Sequence, residues 1–303
     1  MNKSKKHLIV IVGPTAIGKT TFSIRLAQLL NTEIISADSR QFYKEMSIGT
    51  AKPSNEELSA VPHHLVGNIS INQNYSAGKF EQDALSLIEE KFKVHNALVM
   101  VGGSGLYINA VCNGIDDIPA DENIKNHLIE QHKKEGLEPL LNQLKQLDEA
   151  YYHVVDKSNP SRIIRALEVC LASRKTYSSF RENTKKQRPF NIIKIGLEAT
   201  REIIYNNINQ RVELMMQNGL LEEVKALYNF KHLNALQTVG YSELFDYLDQ
   251  KISLEEAIEK IKQNTRNYAK RQLTWFKKNN DITWFDINDL TSSETFALSC
   301  LQS

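Results

Sequence analysis

The chain has 303 residues, 41% of them hydrophobic, which is enough to bury a sizeable core as one large domain or two modest ones. Its 37 lysines and arginines nearly balance 36 aspartates and glutamates, so no global field marks a nucleic-acid binder and any polyanionic partner must be met by local patches. Cys112, Cys170 and Cys300 stand far apart with no C-x-x-C pair, which argues against a zinc knuckle and against a dense disulfide framework.

From the N-terminus, Lys3, Lys5 and Lys6 ahead of the apolar residues 8–12 imitate the start of a signal peptide, but Gly13-Pro14 breaks the run after five residues. No stretch approaches the roughly 18 apolar residues of a membrane span, so no membrane partner is expected and the cytoplasm is the expected compartment. Residues 8–12, 33–36, 98–101, 191–197 and 282–285 are short β-branched runs with helical patterns between them. Their continuous rather than alternating apolar character predicts strands covered on both faces, hence an α/β fold with a parallel sheet flanked by helices. Between residues 118 and 188 the texture changes: 121–132, 136–147 and 159–173 all read as helices, with no strand among them. That segment is expected to form an all-helical insertion domain, with residues 1–117 and 189–303 making the core. Helices resume over 200–217 and in a long amphipathic segment that Ser253-Leu254-Glu255-Glu256 opens with a capping-box pattern. Its apolar stripe runs Leu254, Ile258, Ile261, Thr265, Tyr268, Gln272 or Leu273, and Phe276.

Gly13-Pro14-Thr15-Ala16-Ile17-Gly18-Lys19-Thr20 matches G-x-x-x-x-G-K-[ST] at every fixed position, follows the first strand and leads into a helical pattern over 21–30. The glycines let successive N–H groups and a helix N-terminus point at phosphate oxygens, Lys19 adds a mobile positive charge, and Thr20 offers a hydroxyl to Mg²⁺. The core is therefore expected to be P-loop NTPase-like. Most such loops bind nucleotides for hydrolysis or phosphoryl transfer, which makes an ATP-dependent kinase the first candidate. Against it, residues 97–101 run straight into Gly102-Gly103-Ser104-Gly105, without the strand-end aspartate that usually helps hold Mg²⁺. The acidic candidate is instead Asp38, after the second strand, at the sheet end where open α/β folds bind ligands. Asp38 is either a catalytic base or a helix cap or water-mediated Mg²⁺ partner.

Two basic runs stand out. Arg174, Lys175, Arg181, Lys185, Lys186 and Arg188 have only Glu182 against them, and Lys262, Arg266, Lys270, Arg271, Lys277 and Lys278 have no acid between them. Lys262, Arg266 and Lys270 recur every four residues and so share one helix face. Such runs are either solvated faces or an RNA surface, and a noncatalytic RNA-binding module would account for them while leaving the phosphate loop unexplained. His63 and His64 have no metal-ligand partners nearby in sequence, and Tyr75 and Phe80 read equally well as core.

Along nearly its whole length the sequence resembles the tRNA dimethylallyltransferases, also called tRNA isopentenyltransferases. The stretches that carry the resemblance are the phosphate loop Gly13 to Thr20, Asp38-Ser39-Arg40-Gln41-Phe42-Tyr43, Ile48-Gly49-Thr50-Ala51-Lys52-Pro53, Pro62-His63-His64-Leu65, Tyr75-Ser76-Ala77, Gly102-Gly103-Ser104-Gly105-Leu106-Tyr107, Arg162-Ile163-Ile164-Arg165-Ala166-Leu167-Glu168, Val239-Gly240-Tyr241, and the run from Thr265-Arg266-Asn267-Tyr268 to Gln272-Leu273-Thr274-Trp275-Phe276. Two positions depart from the family pattern: Ser104 stands where threonine is common, and Asn159 where an aspartate usually stands. The zinc finger of eukaryotic members has no counterpart, so the chain is similar to the bacterial form.

The resemblance implies that residues 13–20 hold the diphosphate of dimethylallyl diphosphate with Mg²⁺ on Thr20, and that the acceptor is N6 of the adenosine 3′ of the anticodon, position 37, in the tRNA anticodon stem-loop. It implies Asp38 as the base, assisted by Lys19 and Ser104, with Arg211 at the diphosphate; Arg211 reads otherwise as a surface ion pair, and Ser104 as a helix N-cap. It further implies tRNA contacts from Asp38, Ser39, Arg40, Gln41, Ser104, Ser161, Arg162, Ile163, Ile164, Arg165, Arg266 and Lys270, in a monomer.

Overall fold

A computed structural model describes residues 5–116, 118–181 and 185–302; Lys3 and Glu182 of the sequence patterns lie outside them. Among the described residues six parallel strands form one sheet: β1 (His7–Val12), β2 (Ile34–Ser36), β3 (His63–His64), β4 (Ala97–Val101), β5 (Asn191–Glu198) and β6 (Ile282–Asp286). Their order across the sheet is β3-β2-β4-β1-β5-β6. β1 is central, pairing Leu8 with Leu98 on one side and with Ile192 on the other. Every residue of β1 is buried, which is why its sequence is an unbroken apolar run.

The alternation of β1 distributes the core over both faces. Leu8, Val10 and Val12 pack with Phe42, Phe80, Met100 and Phe276. Ile9 and Ile11 pack with Phe22, Leu26, Val99 and Ile208 on the other face. Each such side chain stabilises the fold by roughly 1.5–3 kcal/mol when fully buried. Tyr75 and Phe80 belong to this core: Phe42 lies 5.1 Å from the Tyr75 ring and 5.2 Å from Phe80.

The helices α1 (Lys19–Leu29), α2 (Asn55–Ala60), α3 (Ala77–Lys91) and α4 (Gly105–Asn113) follow successive strands or their loops. Ser76 accepts from the Lys79 N–H at 3.2 Å and so caps α3. The chain divides into two compact units, Met1–Cys112 with Gln187–Ser303, and Asn113–Lys186. The second contains only helices among its described residues: α5 (Glu122–Glu135), α6 (Glu138–Leu147), α7 (Glu149–Val154) and α8 (Pro160–Ser173), with a short 3-10 turn at Tyr177–Phe180. Its own core is Leu128, Leu140, Leu144, Ile163 and Leu167. Asn159 caps α8 by accepting the Arg162 N–H at 3.2 Å, so this departure from the family pattern keeps the cap.

In the first unit, α9 (Arg201–Gln217), α10 (Leu220–Ala226), α11 (Tyr241–Leu248) and α12 (Leu254–Phe276) build a further apolar cluster around Tyr241, Leu244 and Ile261, and α13 (Leu290–Gln302) ends the described chain. Ser253 caps α12 as expected, accepting from Glu256 N at 3.2 Å. The reciprocal half of the capping box does not form, because the Glu256 carboxylate pairs with Lys260 at 2.8 Å. No helix among the described residues is long and apolar enough to cross a membrane.

Candidate active site

The C-terminal ends of β1, β2 and β4 bring three loops together. Gly13 follows β1 with its α-carbon so close to β5 that an added Cβ would lie 2.7 Å from the Leu197 carbonyl oxygen. Ala16 at φ 61 and Gly18 at φ 90 turn the backbone through the left-handed region, curling residues 13–18 ahead of α1. Asp38 leaves β2 two residues after Ser36, and β4 passes directly into Gly102, where a Cβ would meet the Ala37 carbonyl oxygen at 2.4 Å. The Ala37 N–H donates to Val101 O at 2.7 Å, which ties the second and third loops together.

A cavity of about 540 Å³ opens here, with Lys19, Thr20, Asp38, Lys52, Glu57 and Arg211 among its lining. Lys19 Nζ donates to the carbonyls of Gly13 at 3.1 Å and Pro14 at 2.7 Å. Burial and the neighbouring Arg211 guanidinium bring its ammonium down to about 7, with Asp38 acting in the opposite direction. Arg211 is not a surface ion pair: it reaches from α9 to donate to Thr15 Oγ1 at 3.0 Å. One turn earlier Asn207 Nδ2 donates to the Ala16 carbonyl at 3.1 Å. Asn207, Gln210, Arg211 and Leu214 thus form one helix face against the phosphate loop. Only Arg211 of that face is expected from sequence, although helical spacing from it points to the others.

Around Asp38 the side chains hold one another. Asp38 Oδ1 accepts the Arg40 N–H at 3.0 Å, closing a local turn rather than capping a helix. Ser104, 8% exposed, accepts the Ser39 N–H at 3.0 Å and donates to Ser39 Oγ at 3.1 Å, so its hydroxyl braces the Asp38 loop. Tyr268 on α12 joins this group, its phenol pushed up to about 12 by burial and then by the Asp38 charge. Gln41 lines the cavity, yet its amide is taken by its own loop: Nε2 donates to Thr50 O and Ala51 O, and Oε1 accepts from the Ser36 hydroxyl. A base edge would have to displace those bonds. Arg40 likewise donates to the carbonyls of Asn234 at 3.0 Å and Ala235 at 3.1 Å. His63 donates from Nδ1 to Val61 O at 2.7 Å, which leaves Nε2 as a buried acceptor with no protein partner at the cavity wall.

The expected RNA-contact residues divide by exposure. Ser161 and Arg162 are exposed at the start of α8. Ile163 and Ile164, at 0% and 8% exposure, pack their side chains into the core of the helical unit. Arg165 is tied to Glu168 at 2.8 Å and to Ile118 O at 3.1 Å. On α12, Lys270 is exposed, Arg266 donates to Asn209 Oδ1 at 2.7 Å, and Lys262 pairs with Glu213 at 2.5 Å and Glu259 at 2.7 Å. The shared basic face is therefore partly neutralised. Arg188, grouped by sequence with the basic end of the insertion, packs its side chain against Glu81 at 2.7 Å and donates to the carbonyls of Ala110 and Val111.

The IPP transferase family model matches residues 41–279. A tRNA dimethylallyltransferase of Christiangramia forsetii is 53% identical over 284 residues, covering 93% of this chain and 94% of that protein. The tRNA dimethylallyltransferase 1 of Bacteroides thetaiotaomicron is 50% identical over 279 residues, 92% of this chain and 91% of the relative. Among solved structures, the full-length tRNA isopentenylpyrophosphate transferase from Bacillus halodurans aligns with a TM-score of 0.73 at 38% identity, over 99% of this chain and 97% of that one. A eukaryotic dimethylallyltransferase, described as acting on tRNA, aligns with a TM-score of 0.78 at 27% identity over 97% of this chain and 77% of its own. Identity at this level over almost the full length means that the chain belongs to the tRNA dimethylallyltransferase family.

Proposed function

We propose that this chain transfers the dimethylallyl group of dimethylallyl diphosphate to N6 of adenosine 37 in tRNA, releasing diphosphate. The observation that carries this is a cavity in which an anion-ready loop with Lys19 and Arg211 shares space with Asp38, while β4 ends in glycines where a phosphoryl-transfer enzyme would carry a carboxylate. The names of the relatives supply the reaction class.

In this scheme the N–H groups of residues 16–20 in and after the curled loop, with Lys19 and Arg211, hold the diphosphate. As the C–O bond of the donor breaks, negative charge grows on the leaving oxygen, and these fixed donors stabilise it more than they stabilise the bound donor. Adenine N6 is a weak nucleophile because its lone pair is delocalised into the ring. Asp38 accepts its proton as the C–N bond forms, and Ser104 holds the Asp38 loop through Ser39. The adenosine must leave its stack to reach the cavity. Ser161, Arg162 and Lys270 are proposed RNA contacts because they are exposed and polar; Ser39, Arg40, Gln41, Arg165 and Arg266 act by ordering the surfaces around them.

The residues present suit Mg²⁺. Thr20 and Ser36 hydroxyls and the Asp38 and Glu57 carboxylates line the same cavity as hard oxygen donors. Among the described residues no three His, Cys, Asp or Glu side chains cluster as a metal cage, so diphosphate oxygens and water would complete the shell. When bound, the ion would supply further charge neutralisation of the leaving diphosphate. The proposed acting species is a monomer on tRNA.

The test is nucleoside analysis of tRNA incubated with the protein, Mg²⁺ and dimethylallyl diphosphate. N6-isopentenyladenosine at position 37 is the expected product. Phosphate transfer from ATP in the absence of any prenylated nucleoside would replace this proposal with a kinase.

A further inference from the structure

Gln272 is a buried amide on α12, 5% exposed, that has no part in the scheme above. Both of its ends are engaged. Oε1 accepts the backbone N–H of Thr15 at 2.8 Å, and Nε2 donates to the Gly103 carbonyl at 2.9 Å. The amide therefore spans the gap between the first half of the phosphate loop and the end of β4. That gap is full: a Cβ added to Gly103 would lie 2.2 Å from Gln272 Nε2 and 3.9 Å from Lys19 Nζ.

In P-loop nucleotide enzymes the terminal phosphate and its Mg²⁺ lie between the loop and the strand end that carries the metal-binding carboxylate. Here the corresponding strand end is Gly102-Gly103, and side-chain volume from α12 stands in the space. An oxygen lone pair already directed at the Thr15 N–H removes a donor that a third phosphate would use, and sets a negative dipole where its oxygens would come. The N–H groups of residues 16–20, with Lys19 and Arg211, are left for a shorter anion.

We infer that Gln272 is the specificity residue that restricts this phosphate loop to a diphosphate and excludes triphosphates, against what the loop motif alone would admit. The inference rests on the diphosphate role proposed above for residues 13–20. Isothermal titration with Mg²⁺ and either inorganic pyrophosphate or inorganic tripolyphosphate tests it, on the wild-type chain, Gln272→Ala and Gln272→Glu. Wild type is expected to prefer pyrophosphate. Gln272→Ala should keep pyrophosphate binding and move the preference toward tripolyphosphate by about tenfold or more, the scale of removing one excluding group. Gln272→Glu, which turns a carboxylate toward the loop, should weaken pyrophosphate binding by a similar factor. An unchanged preference in Gln272→Ala with pyrophosphate binding intact overturns the inference. If the alanine variant melts before it can be titrated, Gln272→Glu decides alone, and unaltered pyrophosphate affinity there would place the side chain out of reach of the anion. Failure of the underlying diphosphate role looks different: the wild type itself would bind neither anion.

Discussion

At the scale of single side chains, the roles proposed for Lys19 and Asp38 each make a distinct prediction. Asp38→Asn keeps an oxygen to accept the Arg40 N–H, so the turn should survive while proton acceptance is lost. Turnover is expected to fall about a hundredfold or more with donor affinity nearly unchanged, the scale of removing a general base; single-turnover kinetics separate the two. Lys19, held down near 7 by burial and Arg211, should take up a proton when a polyanion binds beside it, because the new negative charge raises its pKa. Affinity for pyrophosphate is then expected to fall as pH rises through and above about 7. Titration calorimetry at pH 8 in two buffers of different ionisation enthalpy should show net proton uptake in the wild type and much less in Lys19→Ala. That both residues line the cavity was legible in the sequence, because the phosphate loop and a strand-end carboxylate are local patterns. Gln272 and Arg188 were not. One sits on a stripe where periodicity expects an apolar residue, and the other looks like part of a basic run until Glu81, 107 positions away, is brought against it.

Elements show the same division between local and distant causes. Five of the six strands were readable because a parallel sheet covered on both faces needs continuous apolar runs. β3 was not, since two residues have no period, and it owes its place to pairing with β2. Beside it, Glu33 accepts from His64 at 2.5 Å and His95 at 3.4 Å and pairs with Lys91 at 2.9 Å. Burial raises its pKa, but the hydrogen bonds from Lys91, His64 and His95 outweigh that and hold the carboxyl at about 2, below its ordinary 4.5. A carboxyl depressed in this way contributes stability that is complete above about 4.5 and is lost as pH falls toward 2. Glu33→Gln should therefore cost about 1–3 kcal/mol near neutral pH and almost nothing near pH 2, which thermal melts across that range would measure. The Ile48-Gly49-Thr50 stretch also has a structural cause. Glu223 accepts the N–H groups of Ser47, Ile48 and Gly49 at 2.8–3.0 Å and the Tyr241 hydroxyl at 2.6 Å. A Cβ on Gly49 would lie 2.5 Å from the fully buried Tyr241 ring. Gly49→Ala is expected to destabilise by about 1–3 kcal/mol through overpacking, seen as a lower denaturant midpoint.

For the whole molecule, near-zero net charge hides an uneven distribution, and burial decides which basic residues can meet RNA. In the helical unit Arg162, Lys175 and Lys185 are exposed, whereas Arg188, just beyond that unit's end at Lys186, forms an internal ion pair of the other unit. Lysines without base-reading partners position a nucleic acid more than they select it. Replacing Lys175 and Lys185 together by alanine should weaken tRNA binding equally across sequences. It should also flatten the salt dependence by about 0.7 log unit per log unit of salt for each single-strand phosphate that is no longer neutralised. Affinity for dimethylallyl diphosphate should not move. Arg188→Ala should behave in the opposite way: it takes the guanidinium away from the buried Glu81 carboxylate, so the fold should lose about 3–5 kcal/mol while the salt slope of the folded fraction stays that of the wild type. The measurement is tRNA affinity over a salt series for the three proteins, with chemical denaturation alongside. A wild-type slope in the double lysine variant would assign those side chains to a solvated face and shift the search for phosphate-binding groups to Lys270, Arg271 and Lys278, which are exposed at and beyond the end of α12.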